Sequence, residues 1–493
     1  MDGDEGRERR TAENRDEGNR SRKNKGVLNV MKKHLWELIL PITFQQFMLA
    51  LVGASDALML GKLNQDALSA VSLASQVAFV FNLFMTALVI GTSMFAAQYW
   101  GKQDRESIRE VLSFVIRTTL AVGLLFCLGA VLVPDALMRI FTNDAKLIGL
   151  GAGYLKVVGV SYLLSGISQI YLCILKNTGH AGKSMLISSA TVVWNLTLNA
   201  VLIFGFCGAP AMGIAGAALA TVLANAAGLV WAVLESFRED GLRLAGVSAW
   251  LRVSKLERRF WRYTAPVMAN ELIWGGGFTM YSVIMGHLGT DAVAANSIAN
   301  IMKNLVVCFC IGMGNAGSIV VGNALGAGEL GKAKEEGAYL CRLSVIGGIL
   351  TGALLLALSP LILSFADISV QAREYLKFML LVSSYYLVGK SVNSMTIGGI
   401  FCAGGDSRFG LCCDAVTLWC VTIPAGMIAA FVCKAPVPVV YFLLNLDEIV
   451  KLPAVYRHYK KYRWVRNLTE EGERARSTAP TGPARAETGM CEP

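Results

Sequence analysis

GKLNQDALSAVSLAS, residues 61–75, returns 225 positions later as GHLGTDAVAANSIAN, residues 286–300. Gly61, Leu63, Asp66, Ala67, Ala70, Ser72 and Ala74 all recur at that one offset, and so do Pro41 as Pro266, Gly101 as Gly326 and Arg117 as Arg342. Apolar segments resemble one another by chance. Chance does not keep Pro, Gly and Asp in step from Pro41 to Gly101. Further on, YLK at 154–156 returns at 375–377 and Gly179 returns as Gly405. The chain is a duplication, and what is duplicated decides the fold.

Each copy is a series of membrane spans. Of the 493 residues 54% are hydrophobic and only 16% charged, where soluble domains are about a quarter charged; mean hydropathy is +0.51. Apolar runs long enough to cross a bilayer recur along most of the length. They place spans near 35–61, 67–99, 111–133, 150–176, 184–206 and 213–235, then near 263–287, 291–325, 338–363, 375–402, 408–430 and 435–452. Six spans per copy is an even number, so the second copy enters the membrane in the same sense as the first. The expected fold is all-α: twelve transmembrane helices in two parallel six-helix repeats, related by an axis along the membrane normal.

The charges orient it. Of the 45 Lys and Arg, 34 fall in the two ends and the loops of one side, counting those at span ends with the adjoining loop. Six fall within spans, and five (Lys62, Arg139, Lys146, Arg373 and Lys434) on the other side. The positive-inside rule then makes both ends cytoplasmic. The expected division is a basic, disordered cytoplasmic tail at 1–34, an N-terminal lobe at 35–235, a cytoplasmic connector at 236–262, a C-terminal lobe at 263–452 and a cytoplasmic tail at 453–493. Residues 1–34 hold no apolar leader core. Topology explains the net charge of +10, so no nucleic-acid partner is expected. The twelve cysteines form no CxxC pair and read as small buried hydrophobes.

Against this background a few polar residues stand out. Asp56 sits in MLALVGASDALMLGKL, residues 48–63, with no basic residue beside it until Lys62. A carboxylate at a helix centre in hydrocarbon costs about 2.5–3.5 kcal/mol even on insertion scales. Gln45, Val52 and Asp56 share one helix face, so Asp56 reads as a cation-coupling residue that takes H⁺, or serves as the metal ligand if the ion is Na⁺. The plain alternative is a hydrated acid near the outer helix end. Asn195 and Asn199, four apart in WNLTLNAVL, can ligate a cation or bond a carboxyl group, or simply join helices. Glu271 is followed one turn later by Trp274; an acid beside an aromatic suits a lipophilic cation through charge pairing and cation–π attraction. The plain alternative is an acid hydrated at the cytoplasmic mouth. Gln76 and Gln169 are further candidates for the substrate cleft. Pro41 and Pro266 lack an N–H and are expected to kink their helices. Lys390 and Asp414 need partners in the membrane and are expected to pair structurally, each other being one choice. Arg117 and Arg342 are expected to do the same structural job in each half.

Pro41, Asp56 and Gly61 with GKLNQDALSAVSLASQ, then AAQYWGKQD, LKNTGHAGKSM, VGNALGAGELGKA, CAGGDSRF and VVYFLLNLDEIVKLPAVYRHYKKYRWVRNLT, together resemble the multidrug and toxic compound extrusion (MATE) family over residues 33–470. The resemblance implies a V-shaped two-lobe transporter. It implies export of organic cations or other drugs across the plasma membrane in exchange for Na⁺ or H⁺, with no cofactor besides the coupling ion. It supports Asp56 as the coupling acid. The family often has Asp where this chain has Asn199, so the N-terminal lobe lacks one acid. The expected partners are small drugs and the bilayer, with the chain a monomer. A lipid-linked oligosaccharide flippase is the alternative, but its pyrophosphate calls for a basic cleft. No Walker A motif offers ATP drive. Four histidines, all at span ends or in tails, supply no enzyme's constellation.

Overall fold

The structure, a computed structural model, describes residues 35–53, 55, 56, 59–208, 210–238, 254–366 and 368–470. The tail expected at 1–34, most of the connector expected at 236–262, and residues 471–493 lie outside the described residues. The described residues form helices and no strands. In chain order the long ones are α1 Leu35–Gly53, α2 Gln65–Gly101, α3 Arg105–Leu132, α4 Ala145–Asn177, α5 Ala181–Phe204 and α6 Ile214–Arg238. The second copy gives α7 Lys255–Gly286, α8 Thr290–Gly326, α9 Leu330–Phe365 and α10 Val370–Asn393, the last continued by a π-helical stretch Ser394–Phe401. Then come α11 Ser407–Val432 and a short α12 Val437–Leu444.

Local chemistry starts these helices where they start. Asn64 accepts from the Ala67 N–H at 2.6 Å to open α2, and Asp104 accepts from Ser107 at 3.0 Å to open α3. Ser369 does the same for α10 through Ala372 at 3.0 Å. Each cap satisfies a donor that the first turn leaves orphaned. Ser254 caps α7 through Glu257 at 3.0 Å, so the last part of the expected connector forms the first two turns of a helix.

Among the described residues nine helices are long and apolar enough to cross a membrane: α1–α6, α8, α9 and α11. The three that fall short are informative. α7 and α10 are long enough but polar, and α12 is eight residues long. The span expected at 435–452 breaks at Asn445 and resumes as two short helices, Asp447–Val450 and Leu452–Tyr459.

The repeat axis is visible in the packing. A side chain added at Gly322 would strike the methyl of Ala97, and 97 and 322 are equivalent at the offset of 225. A residue that touches its own repeat equivalent lies on the axis relating the copies. The contacts around it are reciprocal: Gly101 of α2 lies against the Asn323 carbonyl of α8, and Gly326 of α8 lies against the Gln98 carbonyl of α2. Only glycine lets backbones approach this closely.

The two copies also trade helix ends. Leu35, Leu38, Ile39 and Ile42 of α1 pack with Met313, Ala316, Val320 and Met395 of the second copy. Leu256, Phe260 and Val267 of α7 pack with Phe95, Ile108 and Phe114 of the first. The first turns of α1 thus pack in a core formed mainly by the second copy. Pro41 and Pro266 both sit within these exchanged stretches, inside helices that continue through them. Arg117 and Arg342 do not do the same job: Arg117 pairs with the largely buried Glu257, while Arg342 is exposed.

Candidate functional site

In the N-terminal lobe the structure brings Asp56, Asn195 and Asn199 together. Asn199 donates from Nδ2 to Asp56 Oδ1 at 2.6 Å and to Asn195 Oδ1 at 3.2 Å. Asn195 donates in turn to Thr221 Oγ1 of α6 at 3.3 Å. The chain of bonds runs from Asp56, just beyond the end of α1, through α5 to α6. Asn199 is fully buried, and its own Oδ1 has no hydrogen-bond partner among the described residues. A buried oxygen left unbonded is costly, and here it stands beside a carboxyl group. Leu60, one turn beyond Asp56, is buried against Val71, Ile203 and Ala217. Asp56 itself is half-buried. Gln45 lies deeper on the same face and donates to Ser188 Oγ of α5 at 2.6 Å.

The C-terminal lobe holds a charge network. Lys451 Nζ lies 2.8 Å from Asp414 Oδ1, 3.2 Å from Glu448 Oε2 and 3.8 Å from Asp447 Oδ2. Lys390 Nζ lies 3.1 Å from Glu448 Oε1. Asn393 donates to Glu448 Oε2 at 2.7 Å and Asn270 to Asp414 Oδ2 at 3.0 Å. Lys390 and Asp414 are thus paired as expected, but not with each other: each meets an opposite charge from the segment after α12. Sequence reasoning missed Asp447, Glu448 and Lys451, which fall at the end of the last expected span. The signal was present in DEIVK, where acid and base stand three and four residues apart on one helix face.

Glu271, Trp274 and Phe278 share a face of α7 that turns toward the other lobe. Gly275 lies against Leu83 of α2, and Phe278 lies 6.1 Å from Phe79 of α2, centroid to centroid. Trp274 stacks on Phe278 at 5.7 Å with an interplanar angle of 15°, and Glu271 is within electrostatic reach of Lys390 and Asp414. Gln76 is exposed one turn from Phe79 on α2, and Gln169 is half-buried on α4; no hydrogen bond joins either to Glu271 or Trp274. The structure assembles Asp56 with both asparagines and Glu271 with Trp274. It leaves the two glutamines apart from them.

The family model MatE matches residues 41–201 and again 266–428. The two matches begin at Pro41 and Pro266, the first residues of the repeat read from the sequence. A probable multidrug resistance protein NorM of Bradyrhizobium diazoefficiens is 27% identical over 413 residues, covering 80% of this chain and 85% of its own. A probable NorM of Thermotoga maritima is 24% identical, covering 81% and 85%. Among solved structures, a MATE transporter of Vibrio cholerae superposes with a TM-score of 0.80 at 18% identity, covering 88% of this chain and 97% of that one. The chain belongs to the MATE family: it is a multi-pass membrane transporter and not an enzyme.

Proposed function

We propose that this chain is a secondary active multidrug antiporter of the plasma membrane, with both ends cytoplasmic. It exports drugs with a cationic end in exchange for inward H⁺ or Na⁺ by alternating access of lobes at 35–235 and 263–452. The multidrug relatives and the match in both copies support export. Nothing in the match supports the flippase alternative.

The observation that carries the coupling reading is the unpartnered Oδ1 of Asn199 beside Asp56. As a carboxylate, Asp56 accepts from Asn199 Nδ2. Once protonated it gains an O–H that seeks an acceptor, and turning the Asn199 amide offers it Oδ1. A Na⁺ ion would use the same oxygens as ligands. Either event rewires the contact of Asp56 with α5 and so couples ion uptake to the shape of the N-terminal lobe, while substrate leaves the Glu271–Trp274 wall. Transport in proteoliposomes with the Na⁺ and H⁺ gradients imposed separately tests this, for wild type and Asp56→Asn. One gradient is expected to drive wild-type efflux and neither to drive the variant; full gradient-driven efflux by Asp56→Asn overturns the mechanism.

A further inference from the structure

Residues 464–468 fall in the stretch expected to be a cytoplasmic tail, yet their side chains are seated inside the molecule, in both copies. Trp464 is fully buried in the core that holds Met313, Ala316 and Met395 of the second copy. Its ring lies against Gly337 of α9 and its carbonyl against Gly404, where a larger residue would collide. Leu468, four residues on, is buried in the core that holds Phe95, Ile108 and Phe114 of the first copy. One short segment thus has an apolar anchor in each core.

Between the anchors a side chain of the first copy grips the backbone. Gln98 of α2 is fully buried. Its Nε2 donates to the carbonyls of Ala403 at 2.6 Å and Arg466 at 3.2 Å, and its Oε1 accepts from the Leu468 N–H at 2.7 Å. A neutral amide can donate twice and accept at once. Arg259 of α7 adds bonds to the Leu468 carbonyl at 3.1 Å and the Tyr99 hydroxyl at 3.0 Å. Gln98 also stands at the axis contact, where its carbonyl meets Gly326 of α8. The segment therefore crosses the seam between the copies, at the end that the proposed orientation makes cytoplasmic. The repeat marks it as an addition to the symmetric scaffold. Gly179, which returns as Gly405, has open space beside it among the described residues, while Gly405 lies against Leu468 and Tyr263.

We propose that residues 464–468 are a latch that holds the cytoplasmic mouth shut, with Gln98 as its catch, and that the latch must release before the mouth opens. Parting α2 from α8 at this end carries Gln98 away from Ala403 and from the backbone seated on Gly404. The amide's bonds then break, or an anchor leaves its core. The strength of the latch sets how the transporter divides between its two states. This rests on the alternating-access reading above and names what restrains the cycle.

The test measures distances across the mouth in the full-length protein in lipid nanodiscs, by double electron–electron resonance. Spin-labelled unnatural amino acids go at the exposed positions Glu106 of α3 and Glu335 of α9. Gln98→Ala is expected to raise the long-distance population about tenfold, the scale of one or two hydrogen bonds, and Leu468→Ala to raise it as well. Leu380→Ala, which truncates a fully buried side chain in a core of the second copy away from the segment, is the control. It is expected to lower the melting temperature and leave the distances unchanged. An unchanged distribution in either Gln98→Ala or Leu468→Ala overturns the latch, as does a widening that Leu380→Ala reproduces. If Gln98→Ala does not fold, Leu468→Ala decides it. Gradient-driven efflux from proteoliposomes separates the two readings. Opening in the latch variants without wild-type efflux defeats antiport and leaves the latch standing; wild-type efflux with distances that ignore the latch variants defeats the latch alone.

Discussion

The two lobes descend from one sequence, yet they handle buried charge in opposite ways. The N-terminal lobe surrounds Asp56 with amides. The C-terminal lobe gathers Asp414, Asp447 and Glu448 around two lysines. Position 56 corresponds to Tyr281 in the second copy, which bonds Thr422 at 2.8 Å instead of carrying charge. An acid held by neutral partners can gain or lose a proton, or hold an ion, while its neighbours stay neutral. An acid locked to a lysine cannot do so without leaving that lysine unpaired in a dry interior. The first arrangement suits a group that cycles; the second suits one that is fixed. On this view the duplication supplied the scaffold, and charge placement then gave the halves different jobs.

The sharpest way to break the comparison is to remove Lys451. It is 3% exposed and faces three carboxylates, so Lys451→Met strands buried negative charge and should cost about 3–5 kcal/mol. Thermal unfolding in detergent should show a large loss, with Lys451→Arg recovering part of it. A Lys451→Met protein as stable as wild type would mean that the network is not what fixes the C-terminal lobe.

The corresponding change in the other lobe should cost less. Asn199→Leu removes the donor to Asp56 and should destabilise by about 1.5–3 kcal/mol, the scale of a hydrogen bond to a charged group. Its larger consequence should fall on the coupling ion. A smaller external H⁺ or Na⁺ concentration dependence is expected in the efflux assay, and an unchanged dependence would remove Asn199 from the coupling path. Asp56→Asn preserves shape and should shift stability by less than about 1 kcal/mol while abolishing gradient-driven efflux. Stability and transport thus dissociate in one lobe and not in the other.

How much of this was legible depended on whether the signal was local. The repeat was legible because Pro41, Asp66 and Gly101 recur at one offset, and the axis contact between Ala97 and Gly322 follows from that offset. Asp56 was legible because an acid in an apolar run is anomalous, and Asn195 with Asn199 because four residues return to one helix face. The partners of Lys390 and Asp414 were not. Their need for opposite charge was plain, but which charge meets them depends on how α10, α11 and the segment after α12 pack, and an acid at a span end reads equally well as hydrated. Nor does sequence show that the first turns of α1 and α7 pack in the opposite lobe, since apolar residues there fit either core.

The smallest effect tests the comparison where the sequence says the halves should be equal. Arg117 and Arg342 occupy equivalent positions. Arg117 pairs with Glu257, which is 7% exposed and opens the exchanged end of α7, so Arg117→Ala leaves a mostly buried acid short of its partner. A loss of about 1–3 kcal/mol is expected. Arg342 is exposed, and Arg342→Ala should stay within about 0.5 kcal/mol of wild type. Because Glu257 lies in the exchanged end of α7, which packs into the core of the first copy, the Arg117–Glu257 pair helps hold that end in place, and Arg117→Ala should also widen the spread of distances between α3 and the start of α7. Distances between spin labels on α3 and α7, compared in the two variants, check this. Equal behaviour of both variants would mean that repeat position, and not the exchanged helix end, sets what these arginines do.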